Sequence, residues 1–280
     1  MTLRFLIADS EGADARAARR GNVGQSAGES FREFLGKLEP GAAVDLATPA
    51  DADSPVLTPD TLAGFDAVFL TGSPLHIYDG SSEVEREIAF MRAVFRSGTP
   101  SFGSCAGLQV AVAAAGGSVR PAQKREAGFA RRISLTDAGR AHPLLAGRPP
   151  AYDAMTIHGD EVERLPDGAT LLATNGRCRV QAAEIRHDGG IFWGVQYHPE
   201  LTLHEIAAAL RRDADDLVEA GLARGPAEVE AQADLLAALG REPDRADLLW
   251  RLGVDEEVAR DELRCREVKN FIDHLVMPDR

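Results

Sequence analysis

PSFGSCAGLQVAVAAAGG, residues 100–117, places a cysteine between two glycines, with a short apolar stretch before it and an apolar, alanine-rich run after it. The spacing predicts a buried strand ending near Ser104, a sharp turn at Cys105, and a helix over 108–115 closed by Gly116 and Gly117. Gly103-Ser104-Cys105-Ala106-Gly107 has the G-x-nucleophile-x-G form of a strand-to-helix elbow. A side chain at either flanking position would press on the adjoining strand or helix. A thiolate held at such a turn meets the positive end of the helix dipole and free backbone N–H groups. Alone, the elbow is equally compatible with a small buried cysteine beside a glycine turn.

A nucleophilic thiol needs a base, and the base needs an orienting group. Ile191-Phe192-Trp193-Gly194-Val195-Gln196-Tyr197-His198-Pro199-Glu200 supplies both. Its first half reads as a strand, and Pro199 ends pairing just after His198. Residues two apart in extended chain share a side, so Glu200 can hold one imidazole nitrogen of His198 while the other faces the thiol.

Around these two segments the chain reads as α/β. Apolar runs at Leu3–Ala8, Val44–Ala47 and Ala67–Leu70 predict the first three strands, and residues 9–30 read as a long loop. Phe31, Phe34, Leu35 and Leu38 have helical spacing. Ser82 and Glu85 read as a capping box for a helix to about Arg96, with Val84, Ile88, Met91 and Phe95 on one face. Segments 127–136, 152–157, 169–173, 180–185 and 191–197 predict closely spaced strands, an antiparallel extension of an open, mostly parallel sheet. Beyond Leu201 only helical patterns appear, with 19 acidic and 11 basic residues in the last 80. The expected organisation is therefore an α/β domain over 1–205 and a helical C-terminal extension over 206–280.

With 31 Lys+Arg against 44 Asp+Glu, the net charge of −13 argues against a nucleic-acid-binding surface. No apolar run approaches membrane-spanning length, and no secretory leader is apparent. Three scattered cysteines, Cys105, Cys178 and Cys265, fit a reduced, cytoplasmic protein better than a disulfide framework. Neither a G-x-x-x-x-G-K-[ST] loop nor a glycine-rich dinucleotide fingerprint is present, so no cofactor is expected. His198, Glu200 and His204 match no zinc spacing, and no P-C-x-x-C follows His198, so no metal is expected either. Cys178 and Cys265 read as incidental thiols, His142 as a surface residue, and Arg16, Arg19 and Arg20 as part of a solvated loop. His76 follows a glycine turn at Thr71-Gly72-Ser73-Pro74 and reads first as an exposed loop residue, though near enough to border a pocket.

Gly103-Ser104-Cys105-Ala106-Gly107-Leu108-Gln109 together with Gly194-Val195-Gln196-Tyr197-His198-Pro199-Glu200 resembles the class I glutamine amidotransferases. Thr71-Gly72-Ser73-Pro74 is similar to that family's oxyanion loop. Thr156-Ile157-His158-Gly159-Asp160-Glu161-Val162 is similar to a stretch of GMP-synthase-type members. The resemblance, over about 1–205, implies a Cys105–His198–Glu200 triad that attacks the γ-amide of glutamine, forms a γ-glutamyl thioester and releases ammonia. It further implies an oxyanion hole at the N–H groups of Ser73 and Ala106, with Gly72, Gln109, Gly159 and Asp160 contacting the substrate. Ala106 and Ile157 are smaller or less polar than is usual in the family, which motivates a second expectation, hydrolysis of N-substituted γ-glutamyl amines. A third is a catalytically silent scaffold that binds a partner. A separate synthetase subunit is one expected consumer of the ammonia, and pairing of two copies through the C-terminal helices is an expected assembly.

Overall fold

The computed structural model describes residues 2–278. Its first half alternates strands and helices: β1 (Arg4–Ala8), α1 (Ala13–Val23), α2 (Ala27–Leu38), β2 (Ala43–Ala47), α3 (Pro59–Leu62), β3 (Ala67–Leu70), α4 (Ser82–Ser97), β4 (Ser101–Ser104) and α5 (Ala106–Ala114). A strand-rich middle follows, with β5 (Ser118–Leu135), α6 (Asp137–Ala141), β6 (Ala151–Arg164), β7 (Ala169–Thr174), β8 (Ala182–His187) and β9 (Gly190–Val195). The remainder is helical: α7 (Leu203–Arg212), α8 (Ala214–Glu219), α9 (Pro226–Arg241), α10 (Ala246–Leu252), α11 (Glu256–Ala259), α12 (Asp261–Arg264) and α13 (Arg266–Phe271).

One nine-stranded sheet runs in the order β2-β1-β3-β4-β9-β8-β7-β5-β6. The five strands from β2 to β9 are parallel to their neighbours, and β8, β7, β5 and β6 add an antiparallel wing. β1, β3 and β4 are almost wholly buried. Such strands read as apolar runs because helices cover both faces of a parallel sheet. One face carries α4 and α5, whose Met91, Phe95, Leu108 and Val112 close over Val68, Leu70 and Phe192.

The opposite face is closed from both ends of the chain. Phe31 and Leu35 of α2 lie in the same buried cluster as Phe271 of α13. The Phe271 ring sits 5.4 Å from Phe69 of β3, 5.7 Å from Phe102 of β4 and 6.1 Å from Trp193 of β9. Helices α7, α9 and α10 instead build a separate cluster with Phe129 and Met155 of the antiparallel wing. Among the described residues no helix is long and apolar enough to cross a membrane.

Three sequence expectations change. Residues 9–30 are not a loop: α1 and the start of α2 occupy most of the segment. Alanine and arginine, both strong helix formers, carry α1 despite its glycines, and Gly24 ends it in the left-handed region at φ 84°. Ser26 and Glu29 then form a true capping box for α2. Consequently Arg16 pairs with Asp51 and Arg19 with Glu205 at 2.8 Å rather than lying in solvent, while Arg20 stays exposed and pairs with Glu29 at 2.9 Å. For α4 the cap is Ser81, whose side chain accepts from the Val84 N–H, one residue earlier than the Ser82–Glu85 pattern suggests. His142 is not on the surface but packs edge-on to Trp193, ring centroids 4.7 Å apart.

Glu87, on α4, is fully buried and accepts a hydrogen bond from Ser10 Oγ at 3.0 Å. Burial pushes its carboxyl up to about 7, with Asp9 adding to the rise against the Ser10 hydrogen bond. Between the ordinary carboxylate range and pH 7 the folded chain therefore keeps a proton that the unfolded chain gives up, and stability falls as pH rises. Glu87→Gln should raise the thermal midpoint at pH 8 by about 3 °C or more and change it little at pH 5, as scanning calorimetry at the two pH values would show.

Candidate active site

The carboxyl ends of β3, β4 and β9, three neighbours in the sheet, bring the sequence-selected residues together. This is the edge at which open α/β sheets bind ligands. Cys105 follows β4 directly and precedes α5, with φ 53° and ψ −110°. Only a tight local fit holds a non-glycine residue there. A Cβ on Gly103 would lie 2.9 Å from the Gly107 carbonyl carbon, and one on Gly107 would lie 2.7 Å from the Leu70 carbonyl oxygen. The two glycines thus let strand, turn and helix close on one another. The Cys105 N–H donates to the Val195 carbonyl at 2.8 Å, fixing the turn to β9.

His198 reaches the same place from β9. Its backbone N–H donates to Met155 O at 2.8 Å, and its ring Nδ1 lies 2.7 Å from Glu200 Oε1. Ser104 Oγ donates to the same carboxylate oxygen at 2.8 Å. The residue just before the nucleophile therefore helps to hold the orienter, a contact that sequence reasoning missed. Burial works against charge on His198, but the Glu200 carboxylate and the neighbouring Cys105 sulfur outweigh it and raise its pKa to about 10. A charged imidazole beside the sulfur can both steady a thiolate and hand a proton to a leaving group.

Gly72 is the third member of this packing. A Cβ there would lie 2.7 Å from His198 Cε1 and 3.7 Å from Cys105 Cβ, so the loop after β3 passes against the imidazole itself. Ser73 turns the chain next, its Oγ accepting from the Leu75 N–H at 3.1 Å. Ala106 opens α5, where the first N–H groups have no partner within the helix. The Ala106 side chain is buried and lies outside the lining of the adjoining cavity.

That cavity, about 480 Å³, is bordered by Gly72, Ser73, Cys105, Gln109, Ile157, Gly159, Asp160 and His198. Cys105 Sγ lies 4.0 Å from the Ile157 carbonyl. Gln109 is buried, and its amide donates to the Asp160 carbonyl at 3.2 Å and to Gln196 Oε1 at 3.1 Å. Gly159 has open space where a side chain would project. Asp160 ties down the loop beyond Ser73: its carboxylate meets His76 Nδ1 at 2.7 Å and accepts from Tyr78 OH at 3.2 Å. His76 is exposed, as its loop setting suggested, and it also borders the cavity; its bond to Asp160 was not legible in sequence.

In the cavity wall, His158 Nδ1 lies 2.9 Å from the Asp160 carbonyl and Nε2 lies 3.2 Å from Glu126 Oε2. Gln181 and Asn175 donate to the same carboxylate, each at 2.8 Å. Glu126, His158 and Cys178 have metal-ligand chemistry, with their ligand atoms within 4.8 Å of one another. The carboxylate is already shared among these hydrogen bonds, and burial pushes the Cys178 thiol up to about 12, keeping it protonated. Glu126 and His158 brace the 157–160 backbone, while Cys178 Sγ donates to the Val180 carbonyl at 3.4 Å.

The fold and this site define the class. A model of glutamine amidotransferase class I matches residues 36–214, and the chain belongs to that family of enzymes. It is 39% identical to a γ-glutamyl-L-1-hydroxyisopropylamide hydrolase of a Pseudomonas species, an alignment covering 99% of this chain and 94% of that protein. It is also 36% identical to the GMP synthase of Nitrosomonas eutropha over 55% of this chain, but that match spans only 29% of the synthase. A solved glutamine amidotransferase from Thermotoga maritima shares the fold at a TM-score of 0.65 and 15% identity, with 99% of each chain covered.

The fit of Gly72 against the imidazole yields a direct test. Gly72→Ala should displace the His198 ring and slow alkylation of Cys105 by iodoacetamide about tenfold, without moving the thermal transition. Mass spectrometry of the modified peptide, with Cys178 and Cys265 as internal references, measures it.

Proposed function

We propose that the protein hydrolyses γ-glutamyl amides, glutamine among them, through a thioester on Cys105. The observation that carries this is the Glu200–His198 hydrogen bond beside Cys105, in a cavity that Ile157, Gly159 and Asp160 also line. In the first step Cys105 Sγ bonds to the γ-carbonyl carbon. As the C–N bond breaks, the His198 proton passes to the departing nitrogen, which leaves as ammonia or an amine. Water, deprotonated by His198, then attacks the thioester and frees glutamate and the thiol. The tetrahedral oxyanion of each step is met by the backbone N–H groups of Ser73 and Ala106. Main chain at Gly159 and Asp160, held by Gln109 and His158, receives the amino-acid end.

Similarity along nearly the whole chain to a hydrolase of an N-substituted γ-glutamyl amide supports stand-alone hydrolysis over ammonia transfer. The shorter similarity to GMP synthases supports a second reading, in which a synthetase subunit takes up the ammonia. Co-purification with an ammonia-consuming synthetase would favour that second reading.

Cys105→Ala is expected to lower the release of glutamate from glutamine and from γ-glutamyl-ethylamide by about 10⁴-fold or more. Retention of most of the activity would overturn the assignment. Because His198 is raised from its ordinary 6.5 to about 10, the imidazolium that protonates the leaving nitrogen persists through neutral pH. The alkaline limb of kcat/KM should therefore appear above pH 9. In Glu200→Gln, with the carboxylate gone, that limb should move down by about a unit or more, as pH–rate profiles of the two proteins would show.

A further inference from the structure

The cavity around Cys105 does not end at the triad. It continues beneath α1 and α2, where Ala15, Ala18 and Arg19 of α1 and Ala27 and Phe31 of α2 line it. Ala15, Ala18 and Arg19 stand three and four residues apart, and so share one face of the helix. This roof is anchored to the catalytic end of the site. Ser10, just before α1, donates its N–H to Thr71 Oγ1 at 3.0 Å, beside Gly72. Arg19 pairs at 2.8 Å with Glu205 of α7, the helix that follows the His198-Pro199-Glu200 turn. The stretch matched by the family model begins at residue 36, beyond α1 and nearly all of α2.

We infer that α1 and α2 form the subsite for the substituent on the departing nitrogen, and that this substituent is a short, uncharged aliphatic group. The inference rests on the hydrolase function proposed above and gives it a specificity. The nitrogen must face His198 to collect its proton, while the glutamyl end points to Ile157, Gly159 and Asp160. The substituent then extends along the cavity toward the methyl groups of Ala15 and Ala27 and the ring of Phe31. Small side chains leave space there, and their apolar surface favours carbon over a bare ammonia. Farther out the lining is ionic: Arg19 pairs with Glu205, Arg125 at 3.0 Å and Arg212 at 2.7 Å share Asp213, and the buried Glu11 lies on the same wall. Ile157 borders the cavity, but the buried Ala106 side chain does not, so the space comes from the roof and not from the residue after the nucleophile.

The test fills the subsite from two helices separately. Ala15→Leu keeps a strong helix former in α1, and Ala27→Leu intrudes from α2. For each protein kcat/KM is measured with γ-glutamyl-ethylamide, γ-glutamyl-isopropylamide and glutamine. The wild-type chain should prefer the alkylamides to glutamine. In each folded variant the ratio of alkylamide to glutamine activity should fall about tenfold or more, and further for isopropylamide than for ethylamide. An unchanged ratio in both variants, or a wild-type preference for glutamine, would overturn the subsite while leaving the hydrolase in place. A wild-type enzyme that cleaves none of the three amides would overturn the hydrolase itself.

Discussion

A single strained residue governs the geometry of the site. Cys105 occupies a positive-φ conformation that costs a non-glycine residue roughly 1–3 kcal/mol, and the surrounding contacts leave it no alternative. Gly103 meets Gly107, Gly107 meets the backbone of Leu70, and the Cys105 N–H is fixed to Val195. Those contacts tie β3, β4 and β9 into one unit at their carboxyl ends. The sulfur is therefore aimed by the sheet, not by its own rotamer. The imidazole is then positioned by contacts from both sides, Gly72 against Cε1 and Glu200 on Nδ1. Preorganisation of this kind leaves little to rearrange when substrate arrives.

Much of this was legible because it is local. The elbow glycines, the cysteine and the His-x-Glu pair each lie within a few consecutive residues, and strand and helix periods supply the context. The parallel strands were legible for the same reason, since buried strands read as short apolar runs. What escaped sequence reading depends on contacts between distant segments. Residues 9–30 look like a loop because Gly12, Gly21 and Gly24 punctuate them, yet Arg16, Arg19 and Arg20 each find a carboxylate that holds the helix in place. The bracing of His158 by Glu126, and of Asp160 by His76, joins segments more than 30 residues apart. No spacing rule reveals such pairs.

The helices after Leu201 divide into two kinds by what they bury. Those from α7 to α10 cover the antiparallel wing. The last helix returns to the parallel sheet and inserts Phe271 among Phe69, Phe102 and Trp193. Next to it the fully buried Glu267 receives Arg148 Nε at 2.7 Å and Tyr197 OH at 2.8 Å, with Tyr152 OH 2.7 Å from Tyr197 OH. A buried ion pair of this kind gives little net stability, because desolvation offsets most of its attraction. It does fix register: Tyr197 adjoins His198, so the end of the chain helps set where the imidazole stands.

This arrangement has a consequence for synthesis. Phe69 and Phe271 are separated by some two hundred residues, and contacts of such long range close late because the intervening chain must first be ordered. A ribosome-bound nascent chain can already contain cysteine, histidine and glutamate while the floor beneath the three strands is still open. That floor can close only once residue 271 has emerged, so the three side chains reach their final places late in folding.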